Sequence, residues 1–370
     1  MRRIGTVALT AAIVMLLTSP PARAESETTV KCGQVVTRTI RLANDLRGCR
    51  VDGLVVGAGG ITIDLNGHTL DGTSAAGPKN PHDCFCGVNV GEYAGVTVTN
   101  GNVTDFVSGV EVFGDRATIA GINATHMWDA GAMVRGGDGT RVVHQETDDA
   151  YWGVFMREAS HASVTGARVT RVQHSGIALL YVADVLVTAS DVDGQWAEGE
   201  ADWGLEAISS TRVAFTHNTV RHIGGVGIGV GTRLRGTADG VEISGNVVSL
   251  SATGIGATTR APGEPGPGDV LHVTISGNVV FDNREDGINI DVPHQGVAAK
   301  QTTITDNTVV NNAWDGINVH APSTTIGANN AWSNGRLGIR AVRGVTDGGR
   351  NRAWHNGDAR QCIGVSCQTS

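Results

Sequence analysis

A glycine followed by alternating aliphatic residues recurs along the chain, and the spacing keeps returning to 22 residues. The repeat glycines are Gly87, Gly109, Gly131, Gly153, Gly176, Gly204, Gly227, Gly254, Gly287, Gly316 and Gly338. The first and third residues after each glycine are mostly aliphatic, as in Val110 and Val112 or Ile288 and Ile290. This two-residue period predicts a short β-strand with one buried face. The longer spacings, up to 33 residues, are interpreted as the same unit with an added loop.

A second register consists of asparagines that lie eight or nine residues before a repeat glycine. Its members are Asn218, Asn246, Asn278, Asn307 and Asn329. An asparagine at the same place in successive repeats can bind the amide of the next one, so that each buried polar group has a partner. We therefore interpret these asparagines as structural.

A unit of about 22 residues fits three short strands and three bends, with successive units stacked about 4.8 Å apart. The Gly-Ile-x-Ile and Ile-Ser-Gly-Asn-Val-Val registers resemble the right-handed parallel β-helix repeat family, which belongs to the pectate-lyase-like superfamily. The resemblance covers roughly residues 54–358. It implies an all-β, right-handed parallel β-helix of about 11 to 12 coils, with disulfide-bonded caps at its ends.

The first 24 residues have the pattern of a signal peptide. Arg2 and Arg3 precede a short apolar run, Val7–Leu17, and Ala22-Arg23-Ala24 supplies small residues at a cleavage site. We expect a soluble, secreted, monomeric protein without a membrane span. The net charge of −8 argues against nucleic acid and anionic membranes as partners.

The six cysteines form two terminal groups, which predicts disulfides in an exported protein. The preferred pairs are Cys32 with Cys49 and Cys362 with Cys367, which leaves Cys84 with Cys86, although the sequence does not settle the pairing. The expected organisation is a signal peptide at 1–24, an N-terminal cap at 25–53, the parallel β-helix at 54–358 and a C-terminal disulfide tail at 359–370.

Acidic and aromatic residues are concentrated just before the repeat glycines. They are Trp128, Asp129, Asp148, Asp149, Tyr151, Trp152, Glu198, Glu200, Asp202, Trp203, Glu285, Asp286, Trp314 and Asp315. Carbohydrate sites combine aromatic planes, which cover the apolar face of a sugar, with carboxylates that bind hydroxyls or transfer protons. The alternative is that these acids fill solvent-exposed bends and the tryptophans cover coil edges.

Two neighbouring repeats, 284–291 and 313–320, match position for position. The match predicts that Asp286 lies beside Asp315, Asn289 beside Asn318, Asp291 beside His320, and Arg340 beside Asn318. The expected catalytic residues are Asp286, Asp315, Asp291 and His320. The expected substrate-binding residues are Trp314, Asn289, Asn318, Arg340, Glu285, Arg135 and Arg157.

Three chemistries fit this predicted site. Asp286 and Asp315 can share Ca²⁺ as a cofactor, or act as acid and nucleophile in glycoside hydrolysis. Alternatively, His320, assisted by Asp291, takes a proton alpha to a uronate carboxylate while Arg340 binds the anion. Asn289 and Asn318 can equally form another structural ladder.

The resulting hypothesis is a secreted carbohydrate-active protein, a polysaccharide lyase, epimerase or glycosidase, that acts on a poly- or oligosaccharide in a groove along one outer sheet. The alternative is a non-catalytic extracellular glycan-binding or structural β-helix. The polygalacturonase Asn-Thr-Asp and Gly-His-Gly signatures are absent from the chain. His294 follows Asp291-Val292-Pro293, and the extra Val292 breaks the Asp-Pro-His pattern of alginate epimerases.

Overall fold

The computed structural model describes residues 27–73, 85–196, 199–233, 236–257, 268–290 and 299–369. Within these ranges every regular element is a β-strand, and no helix is present that could cross a membrane. The strands pair in parallel, in register from coil to coil, and form the three faces of a right-handed parallel β-helix, as the repeat predicted. We call these faces the first, second and third sheets, in the order in which each coil visits them.

The first sheet contains the Gly-aliphatic strands. Its strands are Gln34–Val36, Leu54–Val56, Cys86–Gly91, Ser108–Val112, the last parts of Thr118–Arg135, Glu146–Arg157 and Arg168–Leu180, then Gly199–Ile208, Ile223–Gly231, Thr253–Ala257, Ile288–Ile290, Ile317–Val319, Ile339–Ala341 and Cys362–Ile363. A short strand, Gln195–Trp196, pairs antiparallel to the start of Gly199–Ile208.

The second sheet follows the first sheet across a bend. Its strands are Glu27–Thr28, Ile40–Leu42, Thr62–Asp64, the start of Thr97–Thr104, the start of Thr118–Arg135, Arg141–Val143, Ser163–Thr165, Ala183–Thr188, Thr211–Thr216, Thr237–Asp239, Glu242–Ser244, Asp269–Leu271, Thr274–Ser276, Thr302–Thr305, Thr324–Gly327 and Thr346–Gly349.

The third sheet completes each coil. Its strands are Thr69–Asp71, the end of Thr97–Thr104, the middle of Thr118–Arg135, the first parts of Glu146–Arg157 and Arg168–Leu180, Asp191–Asp193, Thr219–Arg221, Val247–Ser249, Val279–Phe281, Thr308–Val310, Asn330–Trp332, Asn351–Trp354 and Cys367–Gln368. The strand Thr118–Arg135 therefore runs through all three faces without a break.

The interior explains why glycine recurs. Ile288, Ile317 and Ile339 stack above one another and are fully buried, as are the equivalent aliphatic residues of the other coils. A Cβ added at Gly176 would lie 2.6 Å from the carbonyl oxygen of Gly204 in the next coil, and one at Gly204 would lie 2.4 Å from that of Gly227. A side chain at the repeat position would therefore push consecutive coils apart.

The predicted asparagine ladder is present. From Asn246 onward, each ladder asparagine accepts, at Oδ1, both the backbone N–H and the side-chain N–H of the asparagine in the preceding coil, and the ladder continues to Asn351. Asn218, the first member, accepts the backbone N–H of Ser190. A second ladder, which the sequence analysis missed, follows the bend before the first sheet. It consists of Asn283, Asn312, Asn334 and Asn356, and Gln361 accepts the last two N–H groups.

Both ends carry the expected disulfides, Cys32–Cys49 and Cys362–Cys367. Cys86 is also disulfide-bonded, while Cys84 lies outside the described residues. The segments predicted as cap and tail take part in the coils themselves: Gln34–Val36 pairs in register with Leu54–Val56, and Cys362–Ile363 pairs with the strand of Ile339. The solenoid therefore extends beyond the predicted boundaries at both ends.

Candidate functional site

The structure brings Asp286 and Asp315 together as predicted, but each carboxylate is buried, with exposures of 2% and 1%. Asp286 accepts the backbone N–H of Asp315 at 3.0 Å and the side-chain N–H of Asn318 at 2.9 Å. Asp315 accepts the backbone N–H of Leu337 at 2.8 Å and Nε of Arg340 at 2.7 Å. Both carboxylates are therefore engaged in linking one coil to the next.

Each of the four carboxylate oxygens already accepts one hydrogen bond, so a calcium ion would have to share these oxygens with N–H donors. Burial raises the pKa of Asp286, and hydrogen bonds from Asn318 and Asp315 oppose that rise. In the part of the chain that the structure describes, no group of three or more His, Cys, Asp or Glu side chains is placed to hold a metal ion.

Asn289, Asn318 and Arg340 lie in register on the outer face of the first sheet, as predicted. The side-chain oxygens of Asn289 and Asn318 are buried and accept no hydrogen bond from the described residues. The two residues are adjacent but do not form a ladder of the kind seen in the interior. The side-chain amide of Asn318 donates a hydrogen bond to the carboxylate of Asp286.

The remaining residues of the predicted site lie around this cluster. Glu285 accepts a hydrogen bond from the Thr253 hydroxyl at 3.1 Å, and the Arg336 guanidinium lies 4.6 Å from the ring centre of Trp314. His320 is exposed at the end of its strand. Asp291, like His294, lies outside the described residues, so its predicted proximity to His320 stays a prediction.

Arg135 and Arg157 are direct register partners, as expected. They are not a free pair of cations: Nε of Arg135 lies 3.2 Å from Glu111, and Nε of Arg157 lies 3.0 Å from Glu158. Glu111 is itself buried on the outer face of the first sheet.

A cleft of about 610 Å³ opens beside these arginines, where the third sheet passes into the first. Its lining is His126, Met127, Trp128, Asp129, Asp149, Tyr151, Trp152 and Gln173. The register between the strands of this coil and the next shifts between Met127 and Ala130, and it shifts again one coil later between Ala150 and Trp152. These irregularities turn Trp128 outward, where it is 65% exposed.

The floor beside the cleft is apolar although it faces outward. Ala130, Met133, Phe155 and Ala178 form a small cluster that is separate from the interior core, and Trp152 packs against it. The Trp152 ring lies 4.6 Å from the rings of both Phe155 and Tyr151. The aromatic side chains of the cleft are therefore held in place by mutual packing.

Two carboxyl groups at or near the cleft, those of Asp129 and Glu111, have raised pKa values. Burial raises the pKa of Asp129 to about 6, and the charge of Arg135 opposes the shift. Burial also raises the pKa of Glu111, with Asp129 and Asp52 adding to the shift and Arg135 opposing it. These carboxyl groups are therefore protonated at a higher pH than exposed ones.

A second buried acid lies further along the first sheet. Glu206 is 5% exposed and accepts a hydrogen bond from the Ser175 hydroxyl at 2.8 Å, and Nδ1 of His174 lies 2.6 Å from the same hydroxyl. Burial raises the pKa of Glu206 to about 7 and lowers that of His174. The His174 ring packs against Tyr151 and Trp152, with centroid distances of 5.2 and 5.9 Å.

His174, Ser175 and Glu206 were not among the predicted site residues. A signal for Glu206 exists in the sequence, because Glu111 and Glu206 both stand two places after a repeat glycine, where the side chain points outward. Ser175 and His174 carry no such signal, since their role depends on a neighbour in the next coil.

The fold resembles solved structures of two kinds. The periplasmic alginate epimerase AlgG is 13% identical, with a TM-score of 0.58 over 80% of this chain and 76% of that one. A double mutant of the tailspike protein of E. coli bacteriophage HK620 is 14% identical, with a TM-score of 0.59 over 85% of this chain and 65% of that one. Another double mutant of this tailspike, in complex with a pentasaccharide, is 12% identical, with a TM-score of 0.52 over 84% and 60%.

At these identities the likeness establishes the fold alone. No curated protein sequence matches the chain. The sequence pattern of the family described as "right handed beta helix region" matches this chain at residues 108–263 and 152–351, which together cover most of the sequence. The chain belongs to the right-handed β-helix family.

Proposed function

We propose that this protein is an exported carbohydrate-active protein that binds a poly- or oligosaccharide along the outer face of its first sheet, centred on the cleft at Trp128. The observation that carries this proposal is the lining of the cleft, which includes Trp128, Tyr151 and Trp152 together with Asp129. Aromatic faces cover the apolar face of a sugar ring, and a carboxyl group binds its hydroxyls or exchanges a proton with it.

The protonation of Asp129 supports a catalytic role. A general acid or base works best when its pKa lies near the operating pH, and burial brings the pKa of Asp129 to about 6. We propose that the reaction is an acid–base transformation of the glycan, by a hydrolase, lyase or epimerase. Each carboxylate oxygen of Asp286 and Asp315 already accepts a hydrogen bond that links two coils, which favours a structural role for this pair.

Export is part of the proposal. The signal-like segment at 1–24 and the disulfides Cys32–Cys49 and Cys362–Cys367 support it, because disulfides persist in oxidising compartments. The printed names of the similar structures, a periplasmic alginate epimerase and a tailspike bound to a pentasaccharide, make glycans the first class of ligand to test.

A non-catalytic glycan-binding protein is the second candidate. It is favoured by the exposure of Trp128, because an exposed ring supplies binding without any chemistry. In this case the cleft holds the glycan and releases it unchanged.

A panel of neutral, amino and uronate polysaccharides, assayed for new reducing ends, unsaturated uronates and changed epimer content, tests the proposal. We expect at least one polysaccharide to be converted by the wild type and not by Asp129→Asn, with Asp315→Asn as the control from the other cluster. Binding without conversion supports the second candidate. Absence of both binding and conversion across the panel would contradict the proposal.

A further inference from the structure

Three polar side chains from two neighbouring coils form one hydrogen-bonded series beside the cleft. Ser175 begins its first-sheet strand, and Glu206 lies in the next coil, in register with Ala178. The Ser175 hydroxyl joins His174 on one side, at 2.6 Å, to Glu206 on the other, at 2.8 Å. Ser175 and Glu206 are buried, while His174 is partly exposed and packs against Tyr151 and Trp152, which line the cleft, so His174 is the member of the series most accessible to solvent.

The hydroxyl of Ser175 has a single proton, so it can donate a hydrogen bond to only one of its two neighbours, His174 or Glu206. When Glu206 is ionised, Ser175 donates to the carboxylate, and Nδ1 of His174 must carry a proton and donate to the serine oxygen. Nε2 of His174 is then unprotonated, and no described residue forms a hydrogen bond with it. The ring is therefore a neutral base with its free lone pair on Nε2.

We propose that His174, Ser175 and Glu206 form a proton relay, in which His174 is the base that touches the substrate and Glu206 is the buried store of the proton. The bond between the substrate and its acidic hydrogen breaks, its electron pair stays on the substrate, and the proton forms a bond to Nε2 of His174. The Nδ1 proton passes to the oxygen of Ser175, and the original serine proton passes to Glu206. Histidine ends neutral in its other tautomer, serine is unchanged, and one proton has been added to the carboxylate.

The electrostatic surroundings agree with this direction of transfer. Burial lowers the pKa of His174 and raises the pKa of Glu206 to about 7, so the proton is more stable on the carboxyl group than on the ring. The other charges that act on the relay are those of Asp202 and Arg233, which oppose each other at both residues. Tyr151 packs against His174. Burial raises the pKa of Tyr151, and the charges of Asp202, Asp129 and Glu206 raise it further.

The catalytic use of the relay rests on the proposed function. The relay itself can be tested in the protein without any substrate. Long-range ¹H–¹⁵N spectra of protein labelled at histidine report the tautomer of each ring, and His174→Gln identifies the relevant signal. As the pH falls through about 7 and Glu206 takes up its proton, we expect His174 to change from the Nδ1–H to the Nε2–H tautomer before the ring itself takes up a second proton. Glu206→Gln and Ser175→Ala should abolish this change.

Ser108→Ala is the matched control, because Ser108 occupies the same strand position as Ser175 three coils earlier. It should leave the tautomer change intact. A single tautomer throughout the titration in the wild type, or an unaltered change in Glu206→Gln, would overturn the relay. Either variant alone suffices if the other does not fold.

Once a substrate is found, the relay predicts that variants of its residues lower kcat more than they change KM. His174→Gln should lower kcat by about 100-fold, and Ser175→Ala should lower it by about tenfold with little change in KM. If the tautomer change is seen but no glycan is converted, the relay stands and the proposed function fails. If conversion is unaffected by His174→Gln, the catalytic use of the relay is excluded.

Discussion

The side-chain amide of Asn278 donates to Oδ1 of Asn307 at 2.9 Å, and the backbone N–H of Asn278 donates to the same oxygen at 3.0 Å. Asn278 also donates to the carbonyl oxygen of Ile243 at 2.9 Å. One side chain thus satisfies polar groups of the coils on both sides of it. A hydrophobic replacement would leave several of these groups buried without partners.

Replacing Asn278 by alanine should therefore lower the free energy of unfolding by about 2–4 kcal/mol, because buried donors and acceptors lose their partners. Urea denaturation followed by circular dichroism measures the change. Asn330→Ser, in an outward position of the third sheet, is the control and should change stability by less than about 1 kcal/mol. Equal losses in the two variants would contradict the structural role of the ladder.

The second prediction concerns Trp128. Trp128→Ala should weaken binding of a recognised glycan by about tenfold, because stacking on the ring is lost, and should leave the melting temperature nearly unchanged. Isothermal titration calorimetry and thermal unfolding measure the two quantities. Trp314→Ala, at the other exposed tryptophan of the predicted edge, separates the two candidate sites. Weaker binding in Trp314→Ala alone would move the site to Asp315 and its neighbours.

The third prediction is a pH dependence that originates at Asp129. Its pKa is raised from the ordinary 3.8 to about 6, so the folded protein binds this proton more tightly than the unfolded chain. Stability from this group is complete below its unfolded pKa and is lost as the pH rises through about 6. Asp129→Asn should melt on the order of 2 °C higher than the wild type at pH 8, and at the same temperature at pH 4.

Asp358 provides the control of opposite sign. Hydrogen bonds from Arg360 lower its pKa to about 2, so its contribution is present at neutral pH and lost as the pH falls toward that value. Asp358→Asn should therefore melt no higher than the wild type at pH 8. A rise in both variants would show that a general reduction of negative charge, and not the burial of Asp129, is responsible.

The fourth prediction tests the ion pair between the buried carboxylate of Asp315 and the guanidinium of Arg340, whose side chain is 41% exposed. Arg340→Ala should destabilise the protein by about 1–3 kcal/mol, because Asp315 loses a charged hydrogen-bond donor but keeps the backbone N–H of Leu337. Adding Asp315→Asn should recover part of that loss. Denaturant unfolding of the single and double variants measures the coupling, and additive losses would contradict it.

The fold was predictable because its determinants are local and repeated. A Cβ at Gly204 or Gly176 would meet the backbone of the next coil, so glycine is required wherever the repeat brings two backbones close. The register of Asn278 with Asn307 follows from the same spacing. Each coil repeats these constraints, and the sequence therefore displays them many times.

The site was less predictable because it depends on irregularities. The match of 284–291 with 313–320 correctly placed Asp286 beside Asp315, but it did not reveal that backbone N–H groups occupy their oxygens. The cleft lies where the strand register shifts between Met127 and Ala130, and this shift is not visible in the spacing of the repeat glycines. Longer spacings between repeats also hid the contact between Ser175 and Glu206.

Gln361 gives the C-terminal end a further property. Its side-chain oxygen accepts both N–H groups of Asn356, from within the same coil, at 3.0 and 2.9 Å. The other side-chain N–H of Asn356 donates to the carbonyl oxygen of Ala331, so Asn356 has no N–H left with which to extend the amide stack. The second ladder therefore closes on a residue of its own coil.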